Sequence, residues 1–499
     1  MPRVRLALLA AAALLGFFFI LPRLYARSSF DLPSWASPDF DYGALQRGHS
    51  PTDEITDREV LKRLGLAPAA FEYRRHCIQA KPKYGLKREG LVDVSSESLL
   101  ADGWGVTVGD DFDTLPPCEH WTTVDVPSFD DVKNVDTSSL MLGVATILNR
   151  VEPSLHAFSR WLAHTGSTLL IVLVDQTDLE AEAATINAAQ SKAESLGMKI
   201  VFEPFADAKE YPSEGIRNFA LTNAFIKHRG AATKWFSIID DDTFFVSLPR
   251  MLQALKPYDP SKQWYIGALT EGLFRIAKEG FKAWGGAGFF ISLPLMEALS
   301  QNYERCIKLD EGFGDLLWRD CILEVTSPTV RLTELRGLNQ IDVWKDISGW
   351  YEAPHNTLLT VHHWKSWHFH PIPIAHLVTD VAGPDTFMQR YKFADDLILT
   401  NGFSAVYYPR GLPDLNLVEL TMVEEVEKTT WPDKVQFEHS LGKTRPALQV
   451  GTEKVSWKFA DAVVADGGDT VRQFYIKQAG KEGNPNGLDS VIELDWKRG

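Results

Sequence analysis

Basic charge is scarce in this sequence. Lys and Arg total 51 against 66 Asp and Glu, a net charge of −15 over 499 residues. A chain that neutralises nucleic-acid phosphates shows the opposite balance, so nucleic acid is not an expected partner. Cysteine is scarce too: Cys77, Cys118, Cys306 and Cys321 are the four, and no C-x-x-C pair signals zinc. Neither G-x-G-x-x-G nor G-x-x-x-x-G-K-[ST] occurs, which removes the signals for a dinucleotide fold and for a P-loop. No N-x-S/T acceptor for N-glycosylation is present.

Acidic residues are missing from the first 30 positions, where Leu6 to Leu21 is an uncharged apolar run of 16. As a helix it spans about 24 Å, short of a ~30 Å hydrocarbon core. Counted from Val4, with Arg5 snorkelling, it reaches about 27 Å, which suits the thinner early secretory membranes. A cleaved signal peptide and an uncleaved signal anchor both fit. Because no A-x-A site follows, and Leu24-Tyr25-Ala26 is a poor substitute, the anchor is the expectation. Arg3 and Arg5 keep the N-terminus cytosolic in that reading, while Arg23 and Arg27 oppose it. The expected location is the Golgi membrane, single-pass type II with the body lumenal; secretion after cleavage is the alternative. Four cysteines suit such a compartment. Of three possible pairings, the sequence neighbours Cys77–Cys118 and Cys306–Cys321 are expected, with free buried thiols as the alternative.

Four regions follow. Residues 1–27 are the cytosolic tail and anchor. Residues 28–137, rich in Pro, Asp and Ser, read as a stem and irregular extension with one short helix within 56–66. From Leu140 strands and helices alternate: LMLGVATIL, a helix from Pro153, LLIVLV, a helix over 179–196, a strand from Lys199, a helix over 213–227, and WFSII at 235–239. Such units imply a doubly wound α/β sheet with helices on both faces, over 138–379. Residues 380–499 read as a smaller β-rich accessory region.

The stretch KWFSIIDDDTFF crowds Asp240, Asp241 and Asp242 at a strand end. Alternate residues of a strand share a face, so Asp240 and Asp242 lie roughly 6–7 Å apart. Two such charges repel by roughly 2–3 kcal/mol at an effective dielectric of about 20. A divalent cation turns that penalty into a binding site, whereas a solvated acidic turn is the bland reading. Strand ends in α/β sheets are where ligands bind, and Asn149-Arg150 ends the first strand on the same edge.

Three further elements stand out. Trp284-Gly285-Gly286-Ala287-Gly288 lets a backbone approach a ligand, with Trp284 as a possible sugar platform, or is a tight turn between strands. Gly312-Phe313-Gly314-Asp315 opens a helix, where Asp315 is either functional or a cap. Thr360-Val361-His362-His363-Trp364 supplies paired histidines, of which alternation lets at most one reach a metal.

This ordered set resembles the fringe-like family 31 glycosyltransferases, most closely their fungal and plant branch, over about 140–411. LNQIDVWKDISGWYE and GPDTFMQRYKFADDLILTNGFSAVYYPRG look like that branch too, as does the placing of Asp315 between Cys306 and Cys321. The resemblance implies a GT-A fold, a UDP-sugar donor, Mn2+ and a glycan or glycoprotein acceptor. It implies that Asp242 and His362 ligate the metal, that Asp240 binds ribose or sugar, that Asp241 supports the loop, and that Asp315 is the catalytic base. Arg150 would help hold the nucleotide; Trp284, Gly285, Gly286, Ala287 and Gly288 would shape the sugar pocket. Animal fringe enzymes carry two adjacent acids in the base loop, whereas only Asp315 follows Gly314 here. The function implied is inverting transfer with a lean towards a β1,3 linkage. Two rivals stand beside it: a non-catalytic lumenal carbohydrate-binding protein on the same fold, and a D-x-D phosphatase, whose motif wants Thr or Val where this chain has Phe244.

Overall fold

Seven short strands carry the site in the computed structural model. They are β1 (Leu140–Thr146), β2 (Thr168–Leu173), β3 (Lys199–Pro204), β4 (Trp235–Ile239), β5 (Tyr265–Gly267), β6 (Phe289–Ser292) and β7 (Leu332–Glu334). Their order is β3-β2-β1-β4-β6-β5-β7. The first four run parallel, β6 runs against both β4 and β5, and β7 rejoins β5 in parallel. Every residue of β4 is buried, as befits a strand covered on both faces. Helices Leu148–Leu162, Ala183–Ser195 and Leu221–His228 lie on the connections between the parallel strands. The parallel strands implied by the alternation are present, and β6 makes the α/β sheet a mixed one.

The described residues are 56–66, 70–101, 103–107, 115, 117–118, 120–129, 135–175, 180–341, 347–353, 358–365, 368, 370–421, 442–480 and 487–499. The apolar run at 6–21 lies outside them. Among the described residues no helix is long and apolar enough to cross a membrane.

A second sheet of ten strands corrects the reading of 28–137 as stem and irregular extension. Ala70–Lys83 pairs in parallel with Asp489–Arg498, with Cys77 opposite Asp495. Leu91–Val94 pairs in parallel with Arg390–Phe393. From residue 70 onwards the extension is therefore woven into the same sheet as the C-terminal strands. The pairing partners lie hundreds of positions away, so no local pattern announces them. One continuous apolar core joins the two sheets, with Val92, Val124, Tyr475 and Trp496 from one and Leu142, Leu169 and Phe290 from the other. A capping box opens the short helix expected within 56–66, with Thr56 and Glu59 each bonding the other's backbone.

Both disulfides form between sequence neighbours, Cys77–Cys118 and Cys306–Cys321. The second closes a 15-residue loop, which constrains the unfolded chain by roughly 3 kcal/mol in the entropy model. That loop carries Gly312 to Asp315. A third, small sheet completes the scaffold: Leu338–Asn339, Thr360–Val361 and Phe244–Phe245 lie side by side, with Val361 opposite Phe244. It delivers residue 362 to the end of β4.

Candidate active site

The chain turns immediately after β4. Thr243 Oγ1 accepts from the Asp240 N–H at 2.9 Å and donates to the Gly286 carbonyl at 2.7 Å, tying the Asp run to the glycine turn. Asp241 points away from its neighbours into protein. It accepts from Thr146 Oγ1 at 2.7 Å and from Arg150 at 2.6 Å, and Lys365 Nζ lies 3.4 Å away. Asp241 is thus a strut for the loop. Arg150, 57% exposed, stands at the site's edge with one end committed to Asp241.

Asp240 and Asp242 face the other way, towards His362. His362 Nε2 lies 2.8 Å from Asp242 Oδ1 and 3.5 Å from Asp240 Oδ2. Asp242 and His362 are buried, whereas Asp240 is about half exposed, at 48%. Burial alone favours the neutral form of Asp242, but the His362 imidazolium outweighs it and holds the carboxyl well below its usual range. Burial likewise opposes charge on His362, yet Asp242 and Asp240 raise it from its ordinary value to about 10. The His362 imidazolium is the positive charge in direct contact with both carboxylates.

His363 departs from the alternation rule. The strand ends at Val361, and His363 takes a left-handed φ of 53°, so its ring swings back to 3.8 Å from that of His362. The statement that at most one histidine reaches the metal position is corrected by that turn. Asp242, His362 and His363 each offer one ligand atom, all within 4.8 Å of one another. Carboxylate and imidazole donors in one corner, Asp242 and His362 buried and His363 partly so, fit a divalent ion of the Mn2+ kind.

Across the glycine turn lies Asp315, at the first turn of helix Gly314–Thr326. Its Oδ1 accepts from the Gly285 N–H at 3.0 Å, and its Oδ2 from Lys282 Nζ at 3.2 Å. The side chain keeps 26% exposure. Burial pushes its carboxyl up, Lys282 pulls it down, and Asp240 pushes it up again; the balance is upward. The glycines serve these side chains directly. A Cβ on Gly286 would sit 2.0 Å from His362 Cε1, and one on Gly285 would sit 2.6 Å from Asp315 Oδ1. Ala287 is pinned between the two, its N–H on Gln340 and its carbonyl on Thr360. Gly288, at φ 87°, leads into β6.

Trp284 is not the open sugar platform expected from the sequence. It is 4% exposed, and Lys282 Nζ lies 3.8 Å from its ring centroid. A buried ammonium takes the face that a sugar would need. Sequence reasoning missed Lys282 altogether, and with it Glu279, 3.1 Å from Lys282. The available signal was a lone lysine inside the apolar and glycine-rich stretch FKAWGGAGFF.

Two family models match this chain, one described as fringe-like over residues 184–318 and one as a protein of unknown function, DUF604, over 278–401. The first contains Asp240 to Asp242, the second His362, and their overlap contains the glycine turn and Asp315. No curated protein matches. Among solved structures, a mannosyltransferase from Pyrobaculum calidifontis in complex with GDP-Man and Mn2+ is similar at 13% identity and TM-score 0.27. That likeness covers 40% of this chain and 55% of that one. Mouse xyloside xylosyltransferase 1, apo form, is similar at 14% identity and TM-score 0.27, covering 40% and 85%. The class that a carboxylate run at a sheet edge and the family matches define is the glycosyltransferases. Within it, the chain is similar to the fringe-like family, whose model matches residues 184–318.

Proposed function

We propose that this glycosyltransferase moves a sugar from a UDP-sugar to a hydroxyl of a glycan or glycoprotein acceptor, with inversion, most simply forming a β1,3 linkage on a GT-A fold. The observation that carries the reading is the corner at which His362 Nε2 meets Asp242 at 2.8 Å and Asp240 at 3.5 Å, with Asp315 held across the glycine turn. That corner has two carboxylates facing one titratable imidazole and room for no side chain at Gly286.

In this reading Asp242 and His362 hold Mn2+, with His363 beside them. The ion, when bound, supplies charge neutralisation for the departing nucleotide diphosphate. Asp240, the exposed member of the run, receives ribose or sugar hydroxyls. Asp241 and Arg150 keep the loop in place from behind. Asp315 accepts the proton of the acceptor hydroxyl as that oxygen bonds to the anomeric carbon and the bond to UDP breaks. Its raised affinity for a proton suits that task, and it stands apart from the metal corner, on the far side of Gly285. A Golgi location, with residues 1–27 as a type II anchor, is part of the same proposal.

The test is a donor screen on the lumenal part of the chain. Turnover of one UDP-sugar with an acceptor hydroxyl, dependent on Mn2+ and abolished by EDTA, is expected. Binding of sugars without turnover of any UDP-sugar would overturn the reading.

A further inference from the structure

Lys282 is 3% exposed, and its ammonium has three neighbours. Asp315 Oδ2 lies at 3.2 Å, Glu279 Oε2 at 3.1 Å, and the Trp284 ring centroid at 3.8 Å. The three come from three separate pieces of chain: helix Gly314–Thr326, helix Leu273–Glu279 and the approach to the glycine turn. A lysine is rarely buried unless paired, and this one is shared between a carboxylate at the reaction centre and a carboxylate that is not. Glu279 is 25% exposed and makes its contact to Lys282.

We propose that Lys282 is a positioning residue for the base, and that Glu279 is the counter-charge that lets it act without being stranded. The inference rests on the reading of Asp315 as base. Lys282 fixes Oδ2 while the Gly285 N–H fixes Oδ1, so the carboxylate is held in one orientation with a cation against it. When Asp315 takes the acceptor proton and loses its charge, Lys282 keeps Glu279 and the Trp284 face. No unpaired buried cation is left behind, which would otherwise carry a penalty of several kcal/mol. The charged or titratable groups around Asp315 are Lys282 on the glycine-turn approach, Asp240 on the Asp run, Tyr265 on β5, Arg319 and Asp320 on its own helix, and Glu279 behind Lys282. Lys282 is the cation in hydrogen-bonding contact with it.

The experiment is the pH profile of kcat/KM for full-length enzyme variants. Lys282→Met removes the charge at similar length; the acid limb is expected to move up by about one pH unit, so that kcat/KM measured on that limb falls about tenfold and recovers at high pH. The KM for UDP-sugar is expected to change less than about twofold, since Lys282 does not touch the metal corner. Glu279→Gln leaves Lys282 wholly to Asp315, and moves the limb the opposite way. That variant keeps the idea testable if Lys282→Met fails to fold. An acid limb unmoved in Lys282→Met, or moved upward in Glu279→Gln, would overturn the proposal. Asp315→Asn separates the layers: it is expected to keep UDP-sugar binding and lose transfer by about 10²–10⁴-fold. Transfer at the wild-type rate in that variant would instead defeat the assignment of the base itself.

Discussion

Two buried charge clusters in this molecule look alike and differ in one respect. On the ten-stranded sheet, Glu493 meets Arg75 at 2.6 Å and Arg472 at 2.5 Å, and Tyr73 donates its hydroxyl to it. Arg472 also meets Asp57 at 2.5 Å. Burial and then Glu493 push the neighbouring Asp495 carboxyl well up, while Arg472 and Arg75 pull it down. At the end of β4, Asp240 and Asp242 face the His362 imidazole, and Lys365 and His363 add to its pull on Asp242. The first cluster closes on permanent guanidinium charges; the second closes on a proton that can leave. The lesson is that buried charge as such marks nothing, whereas negative charge balanced by a removable proton marks a place for a cation.

The contrast can be broken most severely at Asp242. Asp242→Asn is expected to lower metal-dependent transfer by at least about 10²–10³-fold while circular dichroism stays that of the wild type. Loss of fold with no change in metal dependence would make the corner another structural cluster. Arg472→Met is the matching change on the other sheet. It leaves Glu493 short of one partner and is expected to cost about 3 kcal/mol of stability, seen as a lower urea midpoint. Transfer per folded molecule should stay within about twofold, since the site is distant. Gly286→Ala gives the smallest effect. Its Cβ would press on the His362 ring, and a displaced ligand is expected to weaken Mn2+ binding about tenfold, measured by titration with fold stability followed in parallel.

Much of this site was legible because strand alternation is local. WFSII occupies the predicted 235–239, and Asp240 and Asp242 share a face while Asp241 does not. Other features were settled by events that no short window reports. The helix expected to start at Pro153 starts at Leu148, because a proline signal was read as a first-turn position when the chain places it a turn later. That earlier turn is what carries Arg150. Ser213–Lys227 was read as one helix, but the chain forms Glu214–Phe219 and Leu221–His228, with Ala220 between. His363 escaped alternation because its backbone leaves the strand. Residues 70–83 read as extension in the sequence because the strand they join in parallel is 489–498. Lys282 went unread for a related reason: its two carboxylates come from segments on either side of it, one after the turn and one before.

The central claim is that the Asp242–His362 corner exchanges a proton for a divalent ion. His362, raised to about 10 by its carboxylates, contributes stability in full below its unfolded value near 6.5, and that contribution is lost as pH rises through 10. An ion that takes the proton's place must therefore bind more tightly as pH rises across this window. Calorimetric titration of the metal-free protein with Mn2+ in the presence of UDP, in buffers of different ionisation enthalpy at pH 7 and pH 8, reads both quantities. The account predicts tighter binding at pH 8, with about one proton released per ion and no binding in Asp242→Asn. Undiminished binding in that variant, or binding that releases no proton, would contradict it.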